Sequence, residues 1–232
     1  MNIILFDIDG TLITTAGAGR KAMERALELE FGVPAPVQRV QMSGRTDRII
    51  SSDLLRLHGI EETANTWEQF RDAYLRQLPA HLTSNPGRVL PGIQALLDQL
   101  RQMENIAIGL LTGNLREGAR LKLSHYGIMH YFSEDPDVNR SLGGFGDTYA
   151  CRNEVAREAL EDVHARFGKG VAGDRVWVIG DTPLDIACAR SIGARAVAVG
   201  TGDYHAEELA AESPDILLED LSDPASLLAR LM

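Results

Sequence analysis

Five short runs of apolar residues recur along the chain, and segments with helical spacing separate them. Each run is apolar throughout, as in the Val-Trp-Val-Ile stretch at 176–179, which is typical of a strand buried on both faces of a sheet. Alternation of such strands with helices predicts a parallel sheet with helices on both sides. The strands are predicted at 3–6, 106–111, 176–179, 196–199 and 216–218. The helices between them are predicted at 92–103, 115–126, 148–167, 183–192, 205–211 and 222–231.

The stretch from 15 to 86 interrupts this alternation, because it contains no convincing strand. Helical patterns occur there at 18–31, 47–58 and 64–82. The sequence therefore predicts two domains: an α/β core made of 1–14 and 87–232, and a helical domain, 15–86, inserted after the first strand. The chain would cross between them twice, near 12–16 and 84–90, which suits a hinge.

The first predicted strand runs directly into two carboxylates, Asp7 and Asp9, which a glycine and a threonine follow. In an extended chain, residues two apart point to the same side. Both carboxylates can therefore face one substrate, so that one attacks while the other moves protons. The alternative is a strand that simply ends in a polar turn.

The second long strand ends in Thr112-Gly113-Asn114, just before a predicted helix. A hydroxyl and a backbone amide at a helix start suit a phosphate oxygen, because donors converge there and the helix dipole favours an anion. The alternative is that Thr112 or Asn114 only caps the helix.

A third strand ends in Asp181, and Asp185 follows one turn later. In open α/β sheets, ligands bind beyond the carboxyl ends of the strands. Acids at two such ends would repel one another unless a cation lay between them, and Mg²⁺ favours oxygen ligands of this kind. The alternative makes Asp181 a helix cap and Asp185 a partner of the helix dipole.

The net charge of -10 disfavours binding to nucleic acid or to an anionic membrane. It leaves room for a small anionic substrate, because a local cationic pocket or a metal can outweigh the mean field. The sequence shows neither a signal peptide nor a membrane-spanning run. Cys151 and Cys188 form no ligand-like cluster, which favours reduced thiols and a cytoplasmic location.

Three segments together resemble motifs of the haloacid dehalogenase superfamily. They are Asp-Ile-Asp-Gly-Thr-Leu at 7–12, Leu-Leu-Thr-Gly at 110–113 and Gly-Asp-Thr-Pro-Leu-Asp at 180–185, which look like its first, second and fourth motifs. The helical insertion is similar to the mobile cap of the subgroup that contains phosphoglycolate phosphatases, β-phosphoglucomutases and 2-haloacid dehalogenases. The resemblance spans most of the chain and implies a Rossmann-like parallel core with an inserted helical cap domain.

The superfamily's third motif supplies a lysine or arginine, and its familiar Lys-Pro form is absent here. Arg152 precedes the fourth motif at nearly the family's spacing and is the preferred residue. Lys122, on the helix after the second motif, is the second candidate. The alternatives are a surface residue in a first helical turn for Arg152, and a solvated helical side chain for Lys122.

The resemblance implies a mechanism in which Asp7 attacks a phosphoryl group and forms an aspartyl-phosphate. Asp9 protonates the leaving oxygen and then activates water. Mg²⁺ would be held by Asp7, the backbone carbonyl of Asp9 and Asp181, with Asp185 in support. Arg152 would offset the negative charge that slows attack by a carboxylate on a phosphate.

Substrate binding is expected from two places. Thr112, Gly113 and Asn114 would contact the phosphate. The loop Ser-Gly-Arg-Thr-Asp at 43–47 resembles the cap loop that enters the active site in this subgroup, so Arg45 could meet a substrate carboxylate or hydroxyls. The alternative is that Thr46 or Asp47 caps the next helix and Arg45 is solvated.

The interpretation that follows is a Mg²⁺-dependent phosphomonoester phosphatase acting on a small phosphorylated metabolite, phosphoglycolate-like or a sugar phosphate. The protein is expected to be cytoplasmic, a monomer or homodimer, with no nucleic-acid or membrane partner. A phosphomutase of the β-phosphoglucomutase type is the alternative, since it uses the same two aspartates. A non-catalytic binding protein is less favoured, because Asp7, Asp9 and Asp181 are all present.

Overall fold

The computed structural model describes residues 1–34, 40–133 and 141–231. Its strands are β1 Asn2–Phe6, β2 Ile13–Thr14, β3 Arg88–Val89, β4 Ile106–Leu111, β5 Gly143–Gly144, β6 Val176–Gly180, β7 Arg195–Val199 and β8 Ile216–Leu218. Its helices are α1 Ala18–Phe31, α2 Asp47–Leu57, α3 Ala64–Ser84, α4 Ile93–Arg101, α5 Arg116–His125, α6 Arg152–Phe167, α7 Pro183–Ser191, α8 Ala206–Ala211 and α9 Pro224–Leu231.

Six strands form one parallel sheet in the order β5-β4-β1-β6-β7-β8. The predicted α/β fold with a Rossmann-like parallel sheet is therefore confirmed. β1 lies at the centre, with β4 on one side and β6 on the other. Phe6 pairs with both Leu110 and Ile179, so the three strands end side by side.

Helices cover both faces of the sheet, because alternate residues of its apolar strands point to opposite sides. Ile4 and Phe6 belong to one buried cluster, together with apolar residues of α4, α5 and α9. Ile3 and Leu5 belong to the other, with residues of α6, α7 and α8. Burial on both faces explains why the strand sequences are apolar throughout.

The three helices α1, α2 and α3, called here the three-helix unit, have a buried cluster of their own. In it α1 packs against α3, with Phe70, Tyr74 and Leu78 of α3 among the buried side chains. No strand occurs in the part of 15–86 that the structure describes. The division into a core domain and an inserted domain, with boundaries at 14/15 and 86/87, stays a prediction.

β2 and β3 pair antiparallel and form a two-stranded ribbon, with Ile13 opposite Val89 and Thr14 opposite Arg88. These strands lie at the two predicted crossings, so the crossings run side by side. The sequence pattern does not predict β2, β3 and β5, because two-residue strands are too short to show a period. The predicted start of α6 at 148 is wrong, since the helix begins at Arg152 and Cys151 is extended.

Within the described parts of the chain, none of the helices combines the length and the apolarity that crossing a bilayer requires.

Candidate active site

The ends of β1, β4 and β6 bring the predicted acids and the predicted phosphate-binding residues to one place. The backbone N–H of Asp7 donates to the carbonyl of Ile179 at 2.9 Å, which fixes Asp7 at the end of the sheet. A cavity of about 370 Å³ lies above these strand ends. Its walls come from the strand ends, from α5 and α6, from the three-helix unit and from the loop before α2. They include Asp7, Asp9, Gly113, Asn114, Lys122, Arg152 and Asp181 together with Gly19, Arg20, Arg45, Asp47 and Tyr74.

Arg152 is buried, with 5% of its surface exposed, and it bridges two acids. One guanidinium nitrogen lies 3.0 Å from Asp7 Oδ1 and 2.5 Å from Asp185 Oδ1. The guanidinium also donates to the carbonyls of Gly44 and Leu111, at 3.1 and 3.2 Å. Burial alone would lower the pKa of Arg152, but the charges of Asp185 and Asp7 outweigh it and raise that pKa. Arg152 is therefore a permanent cation beside Asp7, and its interpretation as a surface residue is wrong.

Lys122 makes a second cationic centre, beside Asp9. Its Nζ lies 2.5 Å from Asp9 Oδ2 and 2.5 Å from the amide oxygen of Asn114. Because a lysine can only donate, the amide nitrogen of Asn114 must point the other way. That nitrogen donates to Asp9 Oδ2 at 2.9 Å and to Thr112 Oγ1 at 2.8 Å.

Only 4% of Lys122 is exposed, so its interpretation as a solvated helical side chain is wrong. Burial opposes its charge, but Asp9 and Asp47 raise its pKa overall. The structure thus places both third-motif candidates in the site, where Arg152 contacts Asp7 and Lys122 contacts Asp9.

Thr112, Gly113 and Asn114 differ in what they offer to the cavity. Gly113 and Asn114 line it, whereas Thr112 is fully buried and lies outside the lining. Helix α5 begins at Arg116, and Leu115 rather than Thr112 or Asn114 occupies the cap position. The prediction that Thr112 contacts phosphate directly stays a prediction, and its observed contact is the bond that orients Asn114.

The loop at 43–47 packs against the core at several points. The N–H of Asp47 donates to the carbonyl of Gly113 at 2.7 Å, and Thr46 Oγ1 donates to the carbonyl of Ala150 at 3.2 Å. Arg45 lines the cavity, but its guanidinium is bound to Asp53 at 2.6 Å and to the carbonyl of Gln41 at 3.0 Å. Thr46 is also the cap of α2. A contact between Arg45 and a substrate stays a prediction.

Asp7, Asp181 and Asp185 form a group with the chemistry of a site for a hard cation. One carboxylate oxygen from each lies within 4.8 Å of the other two. Burial raises the pKa of Asp181 well above its usual range, and the charges of Asp185 and Asp7 add to that effect. A bound divalent cation would relieve this repulsion, and carboxylate oxygens are the ligands that Mg²⁺ prefers. The residues present therefore fit such an ion.

Asp185 is more restricted than the other two acids. Its Oδ1 faces Arg152, and its Oδ2 accepts from the N–H and the hydroxyl of Thr182, at 3.0 and 2.7 Å. Burial raises its pKa to about 6, although Arg152 opposes the shift. These contacts suit a residue that holds Arg152 in place and lies beside Asp7 and Asp181, the other two acids of the candidate cation site.

Two residues of the site were missed as functional candidates. Asp47 was predicted only as a possible helix cap, yet it is buried in the cavity wall and its Oδ2 accepts from the N–H of Leu115 at 2.9 Å. Tyr74 lies in an apolar helical pattern, so its sequence context indicates an ordinary core position. The one available signal was that Asp47 ends the loop Ser-Gly-Arg-Thr-Asp, which resembles a loop that enters the active site.

Asp47→Asn is expected to stabilise the protein at neutral pH. Burial raises the pKa of Asp47 to about 6, so the folded state binds more protons than the unfolded state between about pH 4 and 6. The free energy of unfolding of the wild type therefore falls as pH rises through this window. Asparagine can still accept from Leu115 without carrying charge. We expect a gain of about 1–3 kcal/mol at pH 7.5 that vanishes near pH 4.

Urea unfolding at the two pH values measures this gain. Asp72→Asn is the control, because Asp72 is half-exposed and pairs with the neighbouring Arg71 on the surface of α3. A gain of equal size at both pH values would contradict the assignment, since it would not follow the charge of Asp47.

The two cysteines differ in environment, and both are free thiols. Cys188, on α7, is buried in the cluster that includes Ile3 and Leu5. Cys151 is exposed and directly precedes Arg152 at the start of α6.

Comparison with known proteins identifies the family. The model of haloacid dehalogenase-like hydrolases matches residues 1–193. A phosphoglycolate phosphatase of Synechococcus elongatus is 30% identical over 239 residues, which cover 100% of this chain and 99% of that protein. Another, from Photorhabdus laumondii, is 26% identical over 95% of this chain and 89% of its own length. A solved hydrolase from Pseudomonas syringae shares the fold, with 23% identity, a TM-score of 0.71 and 99% of each chain covered. The chain is therefore an enzyme of the haloacid dehalogenase-like hydrolase family.

Proposed function

We propose that this hydrolase is a Mg²⁺-dependent phosphatase that cleaves a small phosphomonoester through an aspartyl-phosphate on Asp7. The observation that carries the proposal is the pairing of each aspartate with its own cation at one cavity. Arg152 lies against Asp7, and Lys122 with Asn114 lies against Asp9. Two carboxylates that are held separately in this way suit two different tasks.

Asp7 acts as the nucleophile in this proposal. A carboxylate oxygen of Asp7 forms a bond to phosphorus while the bond from phosphorus to the ester oxygen breaks. The positive charge of Arg152 lowers the repulsion between the carboxylate and the phosphoryl group. Asp7 is fixed in the sheet by its backbone bond to Ile179, so the attacking group is positioned before substrate arrives.

Asp9 transfers protons in both halves of the reaction. It gives a proton to the departing ester oxygen, and then it takes one from the water that attacks the aspartyl-phosphate. That attack releases inorganic phosphate and restores Asp7. Asp9 is 38% exposed at its side chain and lines the cavity, which lets it reach both the leaving group and water.

The metal site in this proposal consists of the carboxylates of Asp7 and Asp181 and the backbone carbonyl of Asp9, with Asp185 in support. A bound Mg²⁺ supplies charge neutralisation and orientation for the phosphoryl oxygens. Thr11 Oγ1 donates to Asp181 Oδ1 at 2.9 Å and thereby fixes the direction of that carboxylate. Gly113 and Asn114 contact the phosphate from the opposite wall, and Thr112 orients Asn114.

The substrate proposed first is phosphoglycolate or a metabolite of similar size. The relatives from Synechococcus elongatus and Photorhabdus laumondii carry the name phosphoglycolate phosphatase, and the cavity of about 370 Å³ suits a small ligand. Specificity would come from the cavity wall made by the three-helix unit and by the loop before α2, to which Arg45 belongs.

The test is phosphate release from a panel of phosphorylated metabolites and one aryl phosphate, with Mg²⁺ and with a chelator. Release that requires the metal and favours one substrate supports the proposal and identifies the substrate. Conversion of a sugar phosphate into its isomer, without net phosphate release, would contradict the phosphatase assignment and favour the phosphomutase.

Mg²⁺ is expected to raise the thermal stability of the protein as well as its activity. The ion would bind the folded state, where three acids lie together, and not the unfolded chain, so mass action shifts the unfolding equilibrium. At a concentration a hundredfold above its dissociation constant, the gain is about 2.7 kcal/mol. A melting curve with and without Mg²⁺ measures it. Asp181→Asn should show a much smaller shift, and an undiminished shift in that variant would place the ion elsewhere.

A further inference from the structure

Tyr74 places a hydroxyl in the cavity wall without a hydrogen-bond partner. It lies on α3, is 1% exposed, and lines the cavity opposite the strand ends. Among the residues that the structure describes, its Oη has no partner. Buried hydroxyls are normally paired, so an unpaired one at a ligand cavity calls for an explanation.

Gly19 on α1 provides space beside this hydroxyl. A Cβ atom at Gly19 would stand 3.9 Å from Tyr74 Oη and 3.7 Å from Lys122 Nζ. Tyr74 and Lys122 therefore converge on the same small region, which glycine leaves free of side-chain atoms. The three residues come from α3, α5 and α1, so three helices border this region.

Both groups can donate into this region. The ammonium of Lys122 has three N–H groups, of which Asp9 and Asn114 accept two. Burial raises the pKa of Tyr74 well above its usual range, and the charges of Asp47 and Asp9 add to that effect, so the phenol keeps its proton. Two donors thus border one region, and Lys122 brings that region close to Asp9, the group proposed to protonate the leaving oxygen.

We propose that Tyr74 and Lys122 bind an oxygen atom carried by the alkyl part of the substrate, near the phosphoester oxygen. This inference rests on the proposed phosphatase function and specifies the substrate class: phosphomonoesters whose short alkyl group bears a carboxylate or a hydroxyl. An alkyl group without such an oxygen would leave Tyr74 Oη unpaired. A site of this kind rejects the analogue that lacks the oxygen. Asp47, itself a carboxylic acid, lines the same wall. The experiment below therefore compares a substrate that bears a carboxylate with one that bears a hydroxyl.

Three substrates with the same two-carbon skeleton test the proposal: ethyl phosphate, 2-hydroxyethyl phosphate and phosphoglycolate. We expect wild-type kcat/KM to be highest for one of the two oxygen-bearing esters, and that ester identifies the substituent. Tyr74→Phe should lower kcat/KM for that ester about tenfold, the effect of one lost hydrogen bond. It should change kcat/KM for ethyl phosphate by less than about twofold.

Two further variants separate binding from folding. Gly19→Ala adds a methyl group at ordinary contact distance from both donors; it should reduce kcat/KM for the same ester while leaving the fold intact. Tyr126→Phe is the matched control, because Tyr126 Oη is also buried and unpaired among the described residues but Tyr126 lies outside the cavity lining. It should leave the three rates in their wild-type ratio.

The outcomes separate failure of the proposed subsite from failure of the proposed phosphatase function. Equal losses on all three esters in Tyr74→Phe, or no loss on any, would overturn the subsite while the phosphatase assignment stands. A wild type that hydrolyses neither these esters nor an aryl phosphate in Mg²⁺ would overturn the proposed function itself, and the subsite with it.

Discussion

Asp7→Asn is expected to reduce phosphate release by at least a hundredfold on every substrate. The amide cannot form the acyl-phosphate bond that the proposed mechanism requires, so the loss belongs to the chemical step and should appear in kcat. The side chains have nearly the same volume, and Asp7 is held in the sheet through its backbone bond to Ile179. Folding should therefore survive, and a melting curve run beside the phosphate assay checks this.

Asp72→Asn makes the same chemical change on the surface of α3 and should leave the rate unchanged. Residual activity in Asp7→Asn above about a hundredth of wild type would count against covalent catalysis by Asp7. A rapid burst of the alcohol product, equal to the enzyme concentration in the wild type and absent from the variant, would add direct support for the covalent intermediate.

Arg152→Ala is expected to cost both activity and stability. The guanidinium contacts Asp7, Asp185 and two backbone carbonyls while 95% of the residue is out of solvent. Its removal leaves buried carboxylates facing one another, a change that typically costs about 3–5 kcal/mol. Turnover should also fall, and it should fall further than in Lys122→Ala, because Arg152 is the cation in contact with Asp7, the proposed nucleophile. Urea unfolding and kcat on the best substrate measure the two effects.

Arg152→Lys separates charge from geometry. Lysine keeps the positive charge but loses the planar fork that reaches two acids and two carbonyls together. We expect it to recover part of the stability and little of the turnover. If Lys122→Ala proved the slower enzyme, the role of neutralising the nucleophile and phosphate would pass from Arg152 to Lys122.

The sequence predicted the sheet and the strand ends because these depend on local pattern. Apolar runs mark buried strands, and a parallel sheet brings the carboxyl ends of its strands to one edge. The sequence alone therefore predicts that Asp7, Asp9 and Asp181 lie near one another. The burial of Arg152 and Lys122 could not be predicted in the same way. Each lies on a helix with a polar sequence, and the acids that hold it are at least thirty residues away along the chain.

The cavity wall contributed by the three-helix unit was predicted least well. Tyr74 follows the apolar spacing of α3, so its sequence context indicates core packing, and only its unpaired hydroxyl in three dimensions shows otherwise. Arg45 lies in a loop whose sequence predicts ligand binding, yet its guanidinium is bound to Asp53. Tertiary contacts, and not the residue types, decide which polar groups face the cavity.

The ribbon of β2 and β3 has a mechanical consequence for Asp9. The turn that carries Asp9 is bonded to the ribbon, since Gly10 N–H donates to the carbonyl of Ile13 at 2.8 Å and Asp9 forms a bridge with Ile13. Asp7, two residues earlier, is instead bonded to the central sheet. A movement of the three-helix unit about the ribbon would therefore shift Asp9, the proposed proton donor, relative to Asp7, the proposed nucleophile. In the proposed mechanism, phosphoryl transfer would then require the three-helix unit to stand where the structure places it, with the two aspartates aligned.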